Sequence, residues 1–106
     1  MDTKPIHSFE ISGSTKGLMG MFGGKPQFSL HQSGFSWSEG KYKKFVDYTR
    51  ISALSFSKYY STVSITHTGF GPQEIKKLTL LNVSMFETIW TDFSRRNNIS
   101  LVLKAE

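Results

Sequence analysis

The fold is decided by one stretch near the end of the sequence, Asn82-Val83-Ser84-Met85-Phe86-Glu87-Thr88-Ile89-Trp90-Thr91-Asp92-Phe93-Ser94-Arg95-Arg96. Its apolar residues recur at helical spacing and form one stripe, made of Val83, Phe86, Ile89, Trp90 and Phe93. The charged residues fall outside that stripe. We therefore predict an amphipathic helix whose aromatic face covers another surface of the protein.

The start of this helix has two alternatives in the sequence. Asn82 is suited to cap the first turn, and Leu81 and Phe86 are then placed as a hydrophobic staple. A capping box from Ser84 to Glu87 predicts a start two residues later.

The rest of the chain predicts short strands separated by turn residues. Alternation of apolar and polar residues predicts strands over residues 6–12, 27–31, 35–38, 43–47, 51–57, 61–67 and 74–81. Residues 99–103 predict one more edge strand or a packed extension. We therefore expect a single mainly β domain over residues 1–106, a strongly bent antiparallel sheet or barrel of about seven strands. The C-terminal helix closes its open end.

Two local expectations follow from the same patterns. In the 51–57 strand, alternation places Leu54 and Phe56 on one face and Ile51 on the other. Gly34 ends the connection between the 27–31 and 35–38 strands, where a tight turn favours a residue with positive φ.

Composition favours binding over catalysis. Cysteine is absent, and no nucleophile with a neighbouring base or paired carboxylates stands out. His7, His31 and His67 fall on three separate predicted strands, with no close pair to set a zinc geometry. We therefore expect a protein that is not an enzyme and that uses no metal or other cofactor.

The charge and the ends of the chain bear on partners and location. The net charge is +5 and the pI is near 9.6, but only three of the thirteen cations are arginine. A surface dominated by lysine indicates diffuse attraction to polyanions, so nucleic acid is disfavoured as a partner. No apolar run approaches a membrane span, and residues 1–5 lack the pattern of a signal peptide. We therefore expect a cytoplasmic protein, with peripheral membrane attachment as an alternative.

Two stretches resemble a known family. The first is Phe45-Val46-Asp47-Tyr48-Thr49-Arg50-Ile51-Ser52-Ala53-Leu54. It is similar to the part of bacterial pleckstrin-homology-like domains where an aromatic-rich bend leads into the fifth strand. The helix exit Phe93-Ser94-Arg95-Arg96-Asn97-Asn98-Ile99 is similar to how those domains end. Together with seven predicted strands before one helix, this resemblance implies the pleckstrin-homology superfold.

The glycine-rich segment 13–25 is the main candidate site. It has apolar residues between two cations, comprising Lys16, Leu18, Met19, Met21, Phe22 and Lys25. Exposed apolar residues mark interaction sites, and flanking lysines suit anionic headgroups. The resemblance implies that this first inter-strand loop meets membranes. However, Lys25 is followed by Pro26-Gln27-Phe28, which does not match the family's phosphoinositide pattern. The competing structural interpretation is that these apolar residues fold back over the core.

A second candidate is a basic cluster formed by Lys41, Lys43 and Lys44 around Tyr42. It predicts either a phosphate-facing patch or an ordinary edge strand that lysines keep from pairing. Taken together, the sequence predicts a non-catalytic module that binds a protein partner or self-assembles through the 13–25 segment and strand edges. The alternatives are binding to anionic membrane lipids through the same loop and lysines, and nucleic-acid binding on a basic β surface.

Overall fold

The computed structural model describes residues 4–11, 26–39, 42–68 and 71–106. These residues form a mainly β fold with one C-terminal helix, as predicted. The elements are β1 His7–Glu10, β2 Gln27–Leu30, β3 Gly34–Glu39, β4 Tyr42–Asp47, β5 Ile51–Ser57, β6 Thr62–His67, β7 Glu74–Thr79, α1 Val83–Arg96 and β8 Leu103–Ala105. A short 3-10 turn, Tyr48–Arg50, joins β4 to β5.

The strands form two four-stranded sheets that are not closed into a barrel, which differs from the predicted sheet of about seven strands. The first sheet has the order β1-β2-β3-β4 and the second the order β7-β6-β5-β8. The 3-10 turn separates them, because the Asp47 carboxylate accepts hydrogen bonds from the backbone and hydroxyl of Thr49 and redirects the chain after β4. Among the described residues, the isolated bridge between the sheets pairs Ile11 with Leu80.

Of the two alternatives predicted for residues 99–103, the packed extension describes residues 99–102, and a strand begins only at Leu103. Ile99 and Leu101 are partly buried and pack against the core. Leu103–Ala105 then pairs with β5 as an edge strand, and it is parallel to β5 although the other pairings are antiparallel. β8 therefore covers the second half of β5, from Leu54 to Phe56.

The helix covers the core with the face that its sequence predicts. Val83, Phe86, Trp90 and Phe93 are buried, and Ile89 packs against them from a partly exposed position. The Trp90 ring lies 5.0 Å from the ring of Phe35 and 5.4 Å from that of Tyr48, measured between centroids. Helix and sheets thus share one aromatic core.

Asn82 is the cap of this helix, which resolves the two alternatives for its start. Its side-chain oxygen accepts a hydrogen bond from the N–H of Met85 at 3.1 Å. Leu81, one of the two residues of the predicted hydrophobic staple, stays 62% exposed, whereas the other, Phe86, is fully buried.

A β-bulge in β5 overturns the predicted face of Ile51. The register of β5 against β6 shifts between Ile51 and Ala53, so a step of two residues along β5 corresponds to a step of only one residue along β6. Ile51 is consequently buried together with Leu54 and Phe56.

The hairpin of β2 and β3 is confirmed, but the predicted role of Gly34 is wrong. The N–H of His31 donates to the carbonyl of Gly34 at 2.9 Å and closes a tight connection. Gly34 is already part of β3 and does not adopt positive φ. Glycine is needed there because a Cβ would collide with the carbonyl oxygen of Val46 on β4.

Candidate interaction surface

Most of the predicted binding residues lie outside the described part of the chain, namely Lys16, Leu18, Met19, Met21, Phe22, Lys25 and Lys41. The structure describes Lys43 and Lys44, both on β4. Lys43 is exposed, whereas Lys44 is half-buried and pairs with Trp37, whose ring is buried between the sheets. Since neighbouring residues of a strand point to opposite faces, these two lysines do not form one patch.

The residues on either side of segment 12–25 place its two ends at one corner of the fold. The N–H of Ile11 donates to the carbonyl of Pro26 at 3.4 Å, so the chain leaves and returns at neighbouring points. Ile11 also forms the bridge to Leu80, shortly before α1. The first sheet, the second sheet and the start of the helix therefore meet where this segment is attached.

Four large exposed side chains lie near this attachment point. We call this group the apolar corner; it consists of Tyr59, Tyr60, Leu81 and Met85. The N–H of Leu81 donates to the carbonyl of Glu10 at 3.2 Å, which holds Leu81 beside the end of β1. Met85 lies on the first turn of the helix that follows.

Ser61 joins the two tyrosines to the same corner. Its carbonyl accepts from the N–H of Leu80 at 2.8 Å, and its hydroxyl donates to the carbonyl of Leu80 at 2.7 Å. Tyr60, one residue before Ser61, is thereby set beside Leu81, one residue after Leu80. The ammonium of Lys58 lies 3.5 Å from the carboxylate of Glu87 and connects this turn with the helix.

Sequence reasoning missed the apolar corner because it extended β7 too far. The apolar pair Leu80 and Leu81 was predicted as the end of a strand, but β7 ends at Thr79. Leu80 then faces the core while Leu81 faces solvent. The capping signal of Asn82 was the available clue, because a helix that begins there leaves Leu81 in the connection.

In the described residues β1, β4, β7 and β8 are the outer strands of the two sheets, and two of the edges bear on binding, that of β4 and that of the first residues of β5. β4 is paired with β3 on one side, and no strand of the described residues pairs with its other edge. β5 is paired with β8 only from Leu54 onward. The first residues of β5, which have no strand on the β8 side, face a groove of about 630 Å³. Its apolar lining includes Ile51, Ile99, Leu101 and Val102.

The turn between the sheets is held by polar groups that stay in one protonation state near neutral pH. The pKa of the Asp47 carboxyl is lowered. The largest cause is the hydrogen bond that it accepts from the backbone N–H of Thr49. Burial raises the pKa of the Tyr48 phenol, whose hydroxyl donates to the carbonyl of His31 at 2.7 Å. These contacts fix the turn that orients one sheet against the other.

A serine–histidine contact, which the sequence analysis did not foresee, lies on the first sheet. Nε2 of His31 is 2.7 Å from the hydroxyl oxygen of Ser36, and the imidazole ring packs edge-on against Phe45. His31 is buried, so this contact satisfies a polar ring that has lost solvent. A serine beside a histidine is also one part of a nucleophilic site, and that alternative needs a chemical test.

Within the described ranges, no three histidine or acidic side chains are grouped as metal ligands would be. The helix of the described part is too short and too polar to span a membrane. A scan against protein-family models and a search of curated proteins find no match for the chain.

Proposed function

We propose that the chain is a non-catalytic interaction module of the pleckstrin-homology-like type. It binds a protein partner, or a second copy of itself, through segment 13–25 and strand edges. The observation that carries the proposal is the apolar corner, which adds exposed apolar surface to the point where that segment is attached.

The arrangement supports a protein contact because two kinds of recognition lie on one molecule. Leu81, Met85 and the two tyrosines offer apolar and aromatic area, the composition enriched at the centre of protein interfaces. The open edges of β4 and β5 offer unpaired backbone groups that a partner strand can use.

The order of elements supports the pleckstrin-homology-like assignment. A four-stranded antiparallel meander, a second antiparallel sheet and a following helix agree with what the resemblance implies. The buried stripe of α1 belongs to the same core cluster as residues of both sheets, which supports the closing role that the resemblance implies for this helix. The parallel strand β8 is an addition to that pattern.

The test replaces the apolar residues of the segment with serine, in one variant with Leu18, Met19, Met21 and Phe22 changed together. We expect its melting temperature to stay close to that of the parent, while self-association in sedimentation velocity, or capture of a partner, is lost. A second variant, Leu81→Ser with Met85→Ser, should weaken the same association. The matched control is Ile75→Ser, which removes an equally exposed apolar residue on β7. A large loss of stability in the four-serine variant, with association intact, would show that those side chains are core.

Membrane and nucleic-acid alternatives are separated by charge. In Lys16→Glu with Lys25→Glu, binding to anionic vesicles should fall sharply if lipid is the target. An apolar protein contact should respond weakly to both the reversal and added salt. Nucleic-acid binding, in contrast, should decrease steeply as salt rises.

The non-catalytic part of the proposal is tested at Ser36. A fluorophosphonate that labels activated serines should leave Ser36 unmodified, because its contact with His31 stabilises a buried ring. Stoichiometric labelling of Ser36 that disappears in His31→Gln would instead establish a nucleophile with its base.

A further inference from the structure

A small basic cleft lies between the open edge of β4 and the connection from β6 to β7, away from the apolar corner. Its volume is about 280 Å³, at the lower limit for ligand pockets. Charged and polar side chains from four parts of the chain line it, namely Lys44, Arg50, His67, Thr68 and Glu74. The cleft is therefore sized for a small polar ligand.

Backbone pairing brings these residues together. The N–H of Thr68 donates to the carbonyl of Arg50 at 3.0 Å, which fixes the end of β6 beside the 3-10 turn. His67 pairs with Ile51 of β5 on one side and with Glu74 of β7 on the other. Lys44 reaches the cleft from the first sheet, on the strand next to Trp37.

His67 is unusual among the lining residues because its polar ring is buried without being satisfied. It is 3% exposed and packs against Trp37, with 5.8 Å between ring centroids. Its Nδ1 atom is buried and has no hydrogen-bond partner in the described residues. Its Nε2 atom lies 3.9 Å from the carboxylate of Glu74, beyond hydrogen-bond range.

The charges around His67 favour an anion. Lys44 from β4 and Arg50 from the turn are cationic, and Glu74 from β7 opposes them with one negative charge. Asp47 interacts with Arg50, but its carboxylate is engaged by Thr49 and does not line the cleft. Desolvation, followed by the charge of Lys44, lowers the pKa of His67, while Glu74 acts against that shift. An added anion supplies the negative charge that this imidazole lacks.

We propose that this cleft binds a phosphate-type dianion, the terminal group of a phosphomonoester, between Lys44 and Arg50. Thr68 supplies a hydroxyl donor at the rim, and His67 becomes a protonated second donor when the anion is bound. This site is independent of segment 13–25. The rival explanation for Lys44 is that an inward-pointing charge keeps the edge of β4 from pairing. That explanation requires neither Arg50 nor His67.

The experiment is an NMR titration of the full chain with inorganic phosphate and with glycerol 3-phosphate. We expect saturable shifts of the amides of Lys44, Thr68 and Glu74, and an upward shift of the pKa of His67 on binding. Lys44→Gln should weaken binding about tenfold, the effect of losing one charge-assisted hydrogen bond. The matched control is Lys43→Gln, which makes the same charge change on the outer face of β4 and should weaken binding by less than about twofold.

Two further variants sharpen the result. Glu74→Gln should tighten binding because it removes the opposing carboxylate. Arg50→Gln should weaken it as Lys44→Gln does, and Lys44→Gln alone decides the case if the Arg50 variant does not fold. Equal losses for Lys43→Gln and Lys44→Gln, or absence of saturable shifts, would overturn the proposal and leave Lys44 as edge protection.

The source of the phosphate is decided by a vesicle arm. Vesicles of phosphatidylcholine containing phosphatidic acid are compared with pure phosphatidylcholine by co-sedimentation. Binding to the former that is lost in Lys44→Gln and kept in Lys43→Gln identifies a lipid headgroup. Saturable binding of soluble phosphates without vesicle binding identifies a free phosphomonoester.

Discussion

Replacement of Trp90 by alanine tests the central packing of the fold. Trp90 is 1% exposed and its ring meets those of Phe35, Tyr48, Phe86 and Phe93. Deletion of a large buried aromatic side chain costs about 3–5 kcal/mol, through lost transfer free energy and a residual cavity. Domains of this size have total stabilities of about 5–15 kcal/mol, so the loss is a large share of the whole.

The same figure can be expressed as a melting temperature. An unfolding entropy of about 2.1 cal/mol/K per residue, over 106 residues, makes 1 kcal/mol equal to about 4–5 °C. We therefore expect Trp90→Ala to melt about 13–22 °C below the parent. Far-UV circular dichroism during urea and thermal unfolding measures this without depending on the removed fluorophore.

Two companion variants identify the cause of the effect. Trp90→Phe should cost much less than the alanine change, because Nε1 of Trp90 has no hydrogen-bond partner in the described residues and the lost group is mainly ring area. Asp92→Ala removes only exposed ion pairs with Arg95 and Arg96, worth a few tenths of a kcal/mol each. If Trp90→Ala melts within a degree or two of Asp92→Ala, the packing of helix on sheet described above is wrong.

Three other predictions concern single contacts. Gly34→Ala should destabilise by about 1–3 kcal/mol in urea, because the added Cβ forces β3 away from the Val46 carbonyl; an unchanged midpoint would contradict that close approach. Asn82→Ala should cost about 1 kcal/mol through the lost cap, and Asn82→Asp should restore most of it. The pKa of His67 is lowered in the folded state, so as the pH falls the unfolded chain binds a proton at this histidine before the folded chain does. The stability that neutral His67 contributes is therefore present above about pH 6.5 and is lost as the pH falls through the folded-state pKa. Urea midpoints from pH 7.5 to 5 should therefore decline less steeply in His67→Gln than in the parent or in the exposed control His7→Gln.

The parts of the fold that the sequence predicted are those with a local periodic signal. The 3.6-residue repeat of Val83, Phe86, Trp90 and Phe93 predicts both the helix and its buried face. Alternation predicts the first and last residues of β5 correctly. The bulge after Ile51 has no such signal, because its register depends on the pairing partner.

Long-range features were beyond the reach of local patterns. The parallel pairing of Leu103 with Leu54 joins residues far apart in sequence through a strand of three residues. The division into two sheets depends on how the turn at Asp47 redirects the chain, which alternation within the strands does not encode. Leu81 and the basic cleft depend on the same tertiary placement. Segment 13–25 was identified from its composition, and it remains a prediction.

The parallel strand β8 has a consequence for handling the protein. Its three residues, with the hydrogen bond from the N–H of Glu106 to the carbonyl of Phe56 at 2.8 Å, are the cover on the outer half of β5. A cover this short opens at little free-energy cost compared with global unfolding, so we expect it to open while the rest of the domain stays folded. During fraying β5 changes from an interior strand to a sheet edge, and exposed edges recruit other chains. We therefore expect the attachment of Leu103–Ala105 to add to colloidal stability on storage, beyond the small contribution of these residues to the core.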